Sequence, residues 1–213
     1  MGGLREVKVI VDRMEQLVME NDERDKSGDQ AEDEAERHGH TKRELLKKLV
    51  DAAPQGDEHA LSICLRFLDD RDGTVRMATL GALEELVPMK NTLHFNCRTD
   101  ILMALGRLCL DWNVQVRQRA TTLLKLIGNK TKGDAAAAVM HFMTVESNTL
   151  PLYAKLAALE SILEVTVQGD EAAIDHLVDL LDDPNASVRT SVCDCLKVNW
   201  PTILPKPCSL ILI

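Results

Sequence analysis

A nine-residue pattern returns along this chain, and it limits what the chain can fold into more than any other feature. Val75-Arg76-Met77-Ala78-Thr79-Leu80-Gly81-Ala82-Leu83 recurs as Val116-Arg117-Gln118-Arg119-Ala120-Thr121-Thr122-Leu123-Leu124 and as Val188-Arg189-Thr190-Ser191-Val192-Cys193-Asp194-Cys195-Leu196. A degenerate copy starting at Pro151 fits between them and keeps Ala154, Leu156, Ala158 and Leu159 where the first copy has Ala78, Leu80, Ala82 and Leu83. The anchors Val75, Val116, Pro151 and Val188 are separated by 41, 35 and 37 residues. Periods of this length signify supersecondary units that bury their apolar faces by stacking on neighbours. Two further columns follow the same register: a leucine eight residues after each anchor (Leu83, Leu124, Leu159, Leu196) and an acid five before it (Asp70, Asp111, Glu146, Asp183).

Each copy reads as two helices. The first carries apolar residues at three-and-four spacing, as in Leu61, Leu65, Leu68, then Ile101, Leu105, Leu108, then Ile174, Leu177, Leu181. The second carries the anchor and its +4, +7 and +8 positions. Turn formers lie between them: Asp69-Asp70-Arg71-Asp72-Gly73, Asp111-Trp112-Asn113 and Asp182-Asp183-Pro184-Asn185. Asp57, Asp134 and Asp170 are expected N-caps of first helices, and Pro151 is suited to the first position of its helix. Upstream, Leu4 to Met19 is apolar-periodic, and Thr41-Lys42-Arg43-Glu44 reads as a capping box that opens a further helix.

The unit, a short acidic turn followed by Val-Arg and then Ala and Leu, resembles a HEAT repeat over about residues 57–198. The third copy departs from the pattern with Pro151-Leu152 where Val-Arg stands elsewhere. The expected fold is all-α: a right-handed, armadillo-like α-solenoid of about four HEAT-type helix pairs with an N-terminal helical cap. The expected organisation is a helix over 1–19, an acidic disordered linker over 20–40, a capping helix over 41–56, the repeats over 57–198 and an irregular tail over 199–213. Lys42, Arg43, Lys47 and Lys48 supply the polar face such a cap needs.

Composition agrees with helices. Aromatic residues make up only 3% of the chain, so the core must be aliphatic. The net charge is −9, of which −6 lies between Glu20 and Arg37, a segment without large apolar residues and therefore expected to stay solvated. The opposite balance, +5, falls between Arg107 and Lys132. The acidic linker is therefore expected to compete, as a tethered occupant, for that basic patch. The six cysteines form no CxxC pair and sit mostly in apolar helical patterns, as reduced core thiols do. No leader-like or membrane-spanning apolar run is read, and the expected location is the cytoplasm, with the nucleus left open.

Candidate chemistry resolves mostly into architecture. Arg76, Arg117 and Arg189 align with Asp70, Asp111 and Asp183, so each guanidinium is expected near a carboxylate of its own or a neighbouring turn. A pair that repeats is a structural ladder, whereas a catalytic pair would occur once. The HEAT-like deoxyhypusine hydroxylases use His-Glu dipeptides as iron ligands, and none occurs here; His38-Gly39-His40 reads as solvated linker. No catalytic residue, metal ligand or cofactor is assigned. The least buried positions of the second helices are expected at +2 and +9, which marks Met77, Gln118, Lys125, Tyr153 and Lys197 as candidate partner-binding residues, joined by Arg119 of the basic patch, with Glu84 and Glu160 pairing against Lys125 and Lys197. The reading is a non-enzymatic scaffold that binds protein partners on a concave face. Phycobilin lyases also resemble short HEAT arrays, so a tetrapyrrole is the alternative, and Tyr153 is its one aromatic on the inner helices. Nucleic acid is the weaker alternative, because the pI is near 5.2 and aromatics do not alternate with the basic residues.

Overall fold

The computed structural model describes residues 2–27, 32–88, 95–128, 133–145, 149–166 and 170–199, and among these every regular element is helical. The chain divides into two compact units, Met1–Ile101 and Leu102–Ile213.

The first unit contains α1 (Gly2–Ser27), α2 (Glu32–Ala52), α3 (Glu58–Phe67) and α4 (Gly73–Leu86). α1 buries Val7, Ile10, Val11, Met14 and Leu17, the one-sided stripe its spacing dictates. It packs on α2 and α3, while α4 packs on α2 and α3. First helices thus stack on first helices and second on second, which is how repeats share one aliphatic core.

α1 with α2 is therefore a helix pair in its own right. This corrects the expected disordered linker over 20–40, because α1 runs on to Ser27 and α2 already starts at Glu32; residues 28–31 lie outside the described residues. The compositional argument weighed the acidic segment alone. Its Glu, Ala, Arg and Lys residues are good helix formers, and a helix nucleated by a packed neighbouring stripe propagates through them cheaply. The tethered competitor presupposed a disordered segment and loses that premise. The capping box at Thr41 is corrected with it: Thr41 lies inside α2, and its Oγ1 donates to the Arg37 carbonyl at 2.9 Å, a bond to the preceding turn. His38 and Gly39 are likewise part of α2 and not solvated linker, with His38 half-buried and Gly39 buried. A Cβ at Gly39 would come within 2.6 Å of Asp72 Oδ2, so glycine permits that approach.

α5 (Phe95–Leu108) crosses the division between the units. The second unit continues with α6 (Val114–Gly128), α7 (Asp134–Val145), α8 (Leu152–Val165), α9 (Glu171–Asp179), a short 3₁₀ turn (Leu180–Asp182) and α10 (Ala186–Asn199). α7 pairs with α8 and α9 with α10; the second helices α6, α8 and α10 lie side by side, as do α7 and α9. The leucine column is the core seam, since Leu83, Leu124, Leu159 and Leu196 are each no more than 1% exposed. Leu65, Ile174 and Leu181, expected on buried faces, are half-buried.

Asp57 and Asp170 cap their helices as expected, accepting from the amides of Ala60 at 2.9 Å and Ala173 at 3.1 Å. Asp134 does not cap. It is the first residue of α7, preceded by Gly133 at φ 85°. Pro151 stands one position before its helix, as the cap residue of α8 with extended backbone. Residues 200–213 of the expected tail, Cys208 among them, and Glu146 of the acid column lie outside the described residues.

Candidate functional site

Three of the repeated turns, at Asp70, Asp111 and Asp183, are built identically, and the construction shows what their polar residues are for. In each, the carboxylate five residues before the anchor accepts from the backbone amide two residues on: Asp70 Oδ1 from Asp72 at 2.9 Å, Asp111 Oδ1 from Asn113 at 2.8 Å, Asp183 Oδ1 from Asn185 at 2.8 Å. The next side chain repeats the move, as Asp72, Asn113 and Asn185 accept from the amides of Thr74, Gln115 and Ser187 at 2.8–2.9 Å. These two consecutive Asx turns hold the chain where the second helix starts. The arginine after the anchor then folds back. Arg76 donates to the carbonyls of Asp70 and Arg71 at 2.7 and 2.9 Å, Arg117 to Asp111 and Trp112 at 2.7 and 3.2 Å, Arg189 to Asp183 and Pro184 at 2.8 and 3.1 Å.

The arginines of the expected ladder hold backbone of their own turns, and the Arg189 charge also acts on Asp183. The carbonyls belong to turn residues past the end of the preceding helix, and acceptors enclosed in a turn need a donor. Two of the carboxylates take a lysine from the preceding second helix: Lys42 Nζ reaches Asp70 Oδ2 at 2.5 Å, and Lys155 Nζ reaches Asp183 Oδ2 at 2.8 Å. Each lysine stands 28 residues before its partner. Lys42 and Asp70 are nearly enclosed, with side chains 4% and 7% exposed, and the ammonium lies 5.8 Å from the centre of the Phe67 ring. Lys42 thus belongs to the core and not to a polar cap face.

The Asp183 carboxyl feels opposing effects. Burial raises its pKa, whereas the Lys155 hydrogen bond and charge, the Asn185 amide and the Arg189 charge lower it, and the net shift is downward. A carboxylate depressed in the folded state contributes stability that is present above its unfolded value of about 3.9 and is lost as pH falls through the folded value. Asp183→Asn is therefore expected to melt below the parent chain at neutral pH, and the gap should close as pH drops below about 4. A melting series over that range checks it; a gap independent of pH contradicts it.

Among the described residues Cys64, Cys109, Cys193 and Cys195 are buried thiols, and Cys97 is half-buried. Desolvation pushes Cys64 up to about 12 and Cys195 to about 11. It does the same to Cys109, to about 11, against the lowering effect of Thr121 and Ser161. Cys109 Sγ lies 3.4 Å from Thr121 Oγ1, which meets Ser161 Oγ at 2.8 Å, so a small polar cluster joins α6 to α8. Iodoacetamide at neutral pH is expected to leave Cys64, Cys109 and Cys195 unmodified in the folded chain and to modify them after denaturation, as read by peptide mass spectrometry. Rapid modification of all three under native conditions contradicts the burial.

The candidate contact residues lie on second helices. Gln118, Arg119 and Lys125 of α6, Tyr153 of α8 and Lys197 of α10 are exposed, and Met77 of α4 is half-buried. Glu84, Lys125, Glu160 and Lys197, the +9 column, are all exposed. Lys197 also meets Asp194 of its own helix at 3.0 Å. In the second unit α6, α8 and α10 are neighbours, so their exposed rows adjoin. Met77 belongs to the first unit. Lys130 and Lys132 of the basic run lie outside the described residues. Two features escaped the sequence reading. Lysine in the otherwise apolar or small +4 column at Lys155 signals the rung to Asp183. The Asx column three before the anchor, Asp72, Asn113, Asn148 and Asn185, was visible in the sequence itself.

Among the described residues no three histidine, cysteine or carboxylate side chains cluster as a metal site, and no helix is long and apolar enough to cross a membrane. Neither the curated proteins nor the solved structures gave a match to the chain. The HEAT-repeat family model matches residues 173–198, which span α9 from its third residue, the clamped turn and most of α10. The same clamp recurs at Arg76 and Arg117 in stacked helix pairs, which with this match supports a HEAT-repeat assignment.

Proposed function

We propose that this chain is a non-enzymatic protein-binding scaffold or adaptor of the cytoplasm whose partner lies across the second helices. Met77, Gln118, Arg119, Lys125, Tyr153 and Lys197 are its contact residues. HEAT repeats generally mediate protein interactions. One observation carries the reading: the polar residues of the repeated turns are consumed in holding backbone, while neighbouring α6, α8 and α10 leave rows of long polar and aromatic side chains in solvent. Long side chains on adjacent rigid helices offer contact area without a convergent reacting centre, which is what a binding module needs.

Affinity capture with the intact protein tests it, repeated with Lys125→Ala, Tyr153→Ala and Lys197→Ala combined. The reading expects a specific partner retained by the parent chain and lost by the triple variant, with helical content unchanged. Full retention by a folded triple variant contradicts it. Covalent attachment of a bilin in cells that make one would replace it with the tetrapyrrole reading.

A further inference from the structure

His176 of α9 is half-buried, and its ring lies where α9 packs on α7. Its two nitrogens meet different surroundings. Nδ1 stands 3.5 Å from Thr144 Oγ1 of α7, and the Thr144 hydroxyl gives its hydrogen to the Met140 carbonyl at 2.9 Å. The threonine oxygen is therefore the acceptor, which places the ring proton on Nδ1 and leaves Nε2 bare. Nε2 is buried and has no hydrogen-bond partner among the described residues. A bare ring nitrogen can be enclosed at modest cost, whereas an imidazolium carries a charge and a second N–H that both need a partner. The site thus accepts the neutral ring and disfavours the cation.

Burial lowers the pKa of His176, Asp179 one turn along α9 raises it, and the net shift is downward. The remaining charged groups of α9 and its 3₁₀ turn are Glu171, Asp175 and Asp182. The elements packed on α9 add Asp134 and His141 of α7 and Arg189, Asp194 and Lys197 of α10. Among the described residues only Asp179 acts on the ring. α9 itself is weakly held. It is 9 residues long and buries Ala173 and Leu177, so its helicity depends on packing against α7 and α10. We propose that His176 is a pH-sensitive latch between the first helices of neighbouring repeats: the neutral ring lets α9 close on α7, and protonation opens α9 so that water reaches Nε2. The stability that the neutral ring contributes is complete above its unfolded value of about 6.5 and is lost as pH falls from there through the folded value. The latch acts on the last repeat itself and stands whichever surface meets a partner.

The test is hydrogen–deuterium exchange of the full chain at about pH 7.5 and about pH 5.5, corrected for the intrinsic pH dependence of exchange. Protection of the α9 amides is expected to fall about 3- to 10-fold on acidification, while α6, which contains no histidine, keeps its protection. His176→Gln keeps a polar side chain that does not titrate, so its α9 protection should change less than about 2-fold over the same range. Asp179→Asn leaves the ring in place and removes the charge that favours the cation, so its α9 should open at lower pH than in the parent chain. The His176 imidazole, followed by NMR and assigned by its absence in His176→Gln, should titrate below about 6.5. An equal fall of protection in His176→Gln overturns the latch, because the acids of α9 would then be its cause. So does α9 protection that ignores pH, a loss spread evenly from α6 to α10, or an imidazole that titrates at or above its unfolded value. Should His176→Gln fail to fold, as read by helical content, the Asp179→Asn comparison decides.

Discussion

Replacing Lys42 by methionine is expected to destabilise the first unit by about 3 to 5 kcal/mol, because it leaves the Asp70 carboxylate enclosed without its cation. Both side chains of the pair are almost fully buried, so solvent screens little of the loss. Asp70 also holds the Asp72 amide with its other oxygen, so it cannot simply turn outward to water without opening the turn that starts α4. The pair and not the lysine alone is the unit of stability. Lys42→Met combined with Asp70→Asn should therefore recover most of the loss, a coupling read directly by a double-mutant cycle in urea. Additive losses would mean that the ion pair contributes little and that Lys42 acts through its stem and the Phe67 ring.

A loss of comparable size is expected in the second unit for Leu124→Ala, about 2 to 5 kcal/mol, as a fully enclosed leucine leaves a cavity that rigid neighbours fill poorly. Leu124 is 0% exposed on α6, which packs on α7 and α8. Leu196 occupies the same column and is equally enclosed, but α10 is the last described helix and packs on α8 and α9. Leu196→Ala should cost less, since the end of a stacked array can adjust where an interior position cannot. Urea unfolding of the two variants checks the order; equal losses would argue against a stacked array.

The parts of this fold that were legible from residues are those fixed by short-range rules. The valine anchors and the leucine column predicted buried positions because helical spacing places them on one face, and Asp57 and Asp170 predicted caps because their oxygens reach amides three residues on. Longer-range partners were hidden. Nothing near Lys42 in sequence indicates an acid 28 residues away, and at Lys155 the one signal is a lysine in an otherwise apolar or small column. The arginine column was legible, but alignment alone does not show that its guanidiniums hold turn carbonyls or that Asp70 and Asp183 take lysines. The acidic run was misjudged because its composition forbids a core but not a helix continued from one.

The central claim is that the second helices carry the partner. Hydrogen–deuterium exchange of the chain, alone and in complex with a captured partner, tests this most directly. The account predicts slowed exchange in α6 and α8, starting from their first turns, with α7 and α9 unchanged. Protection confined to α7 and α9, or none in the second helices, would contradict it.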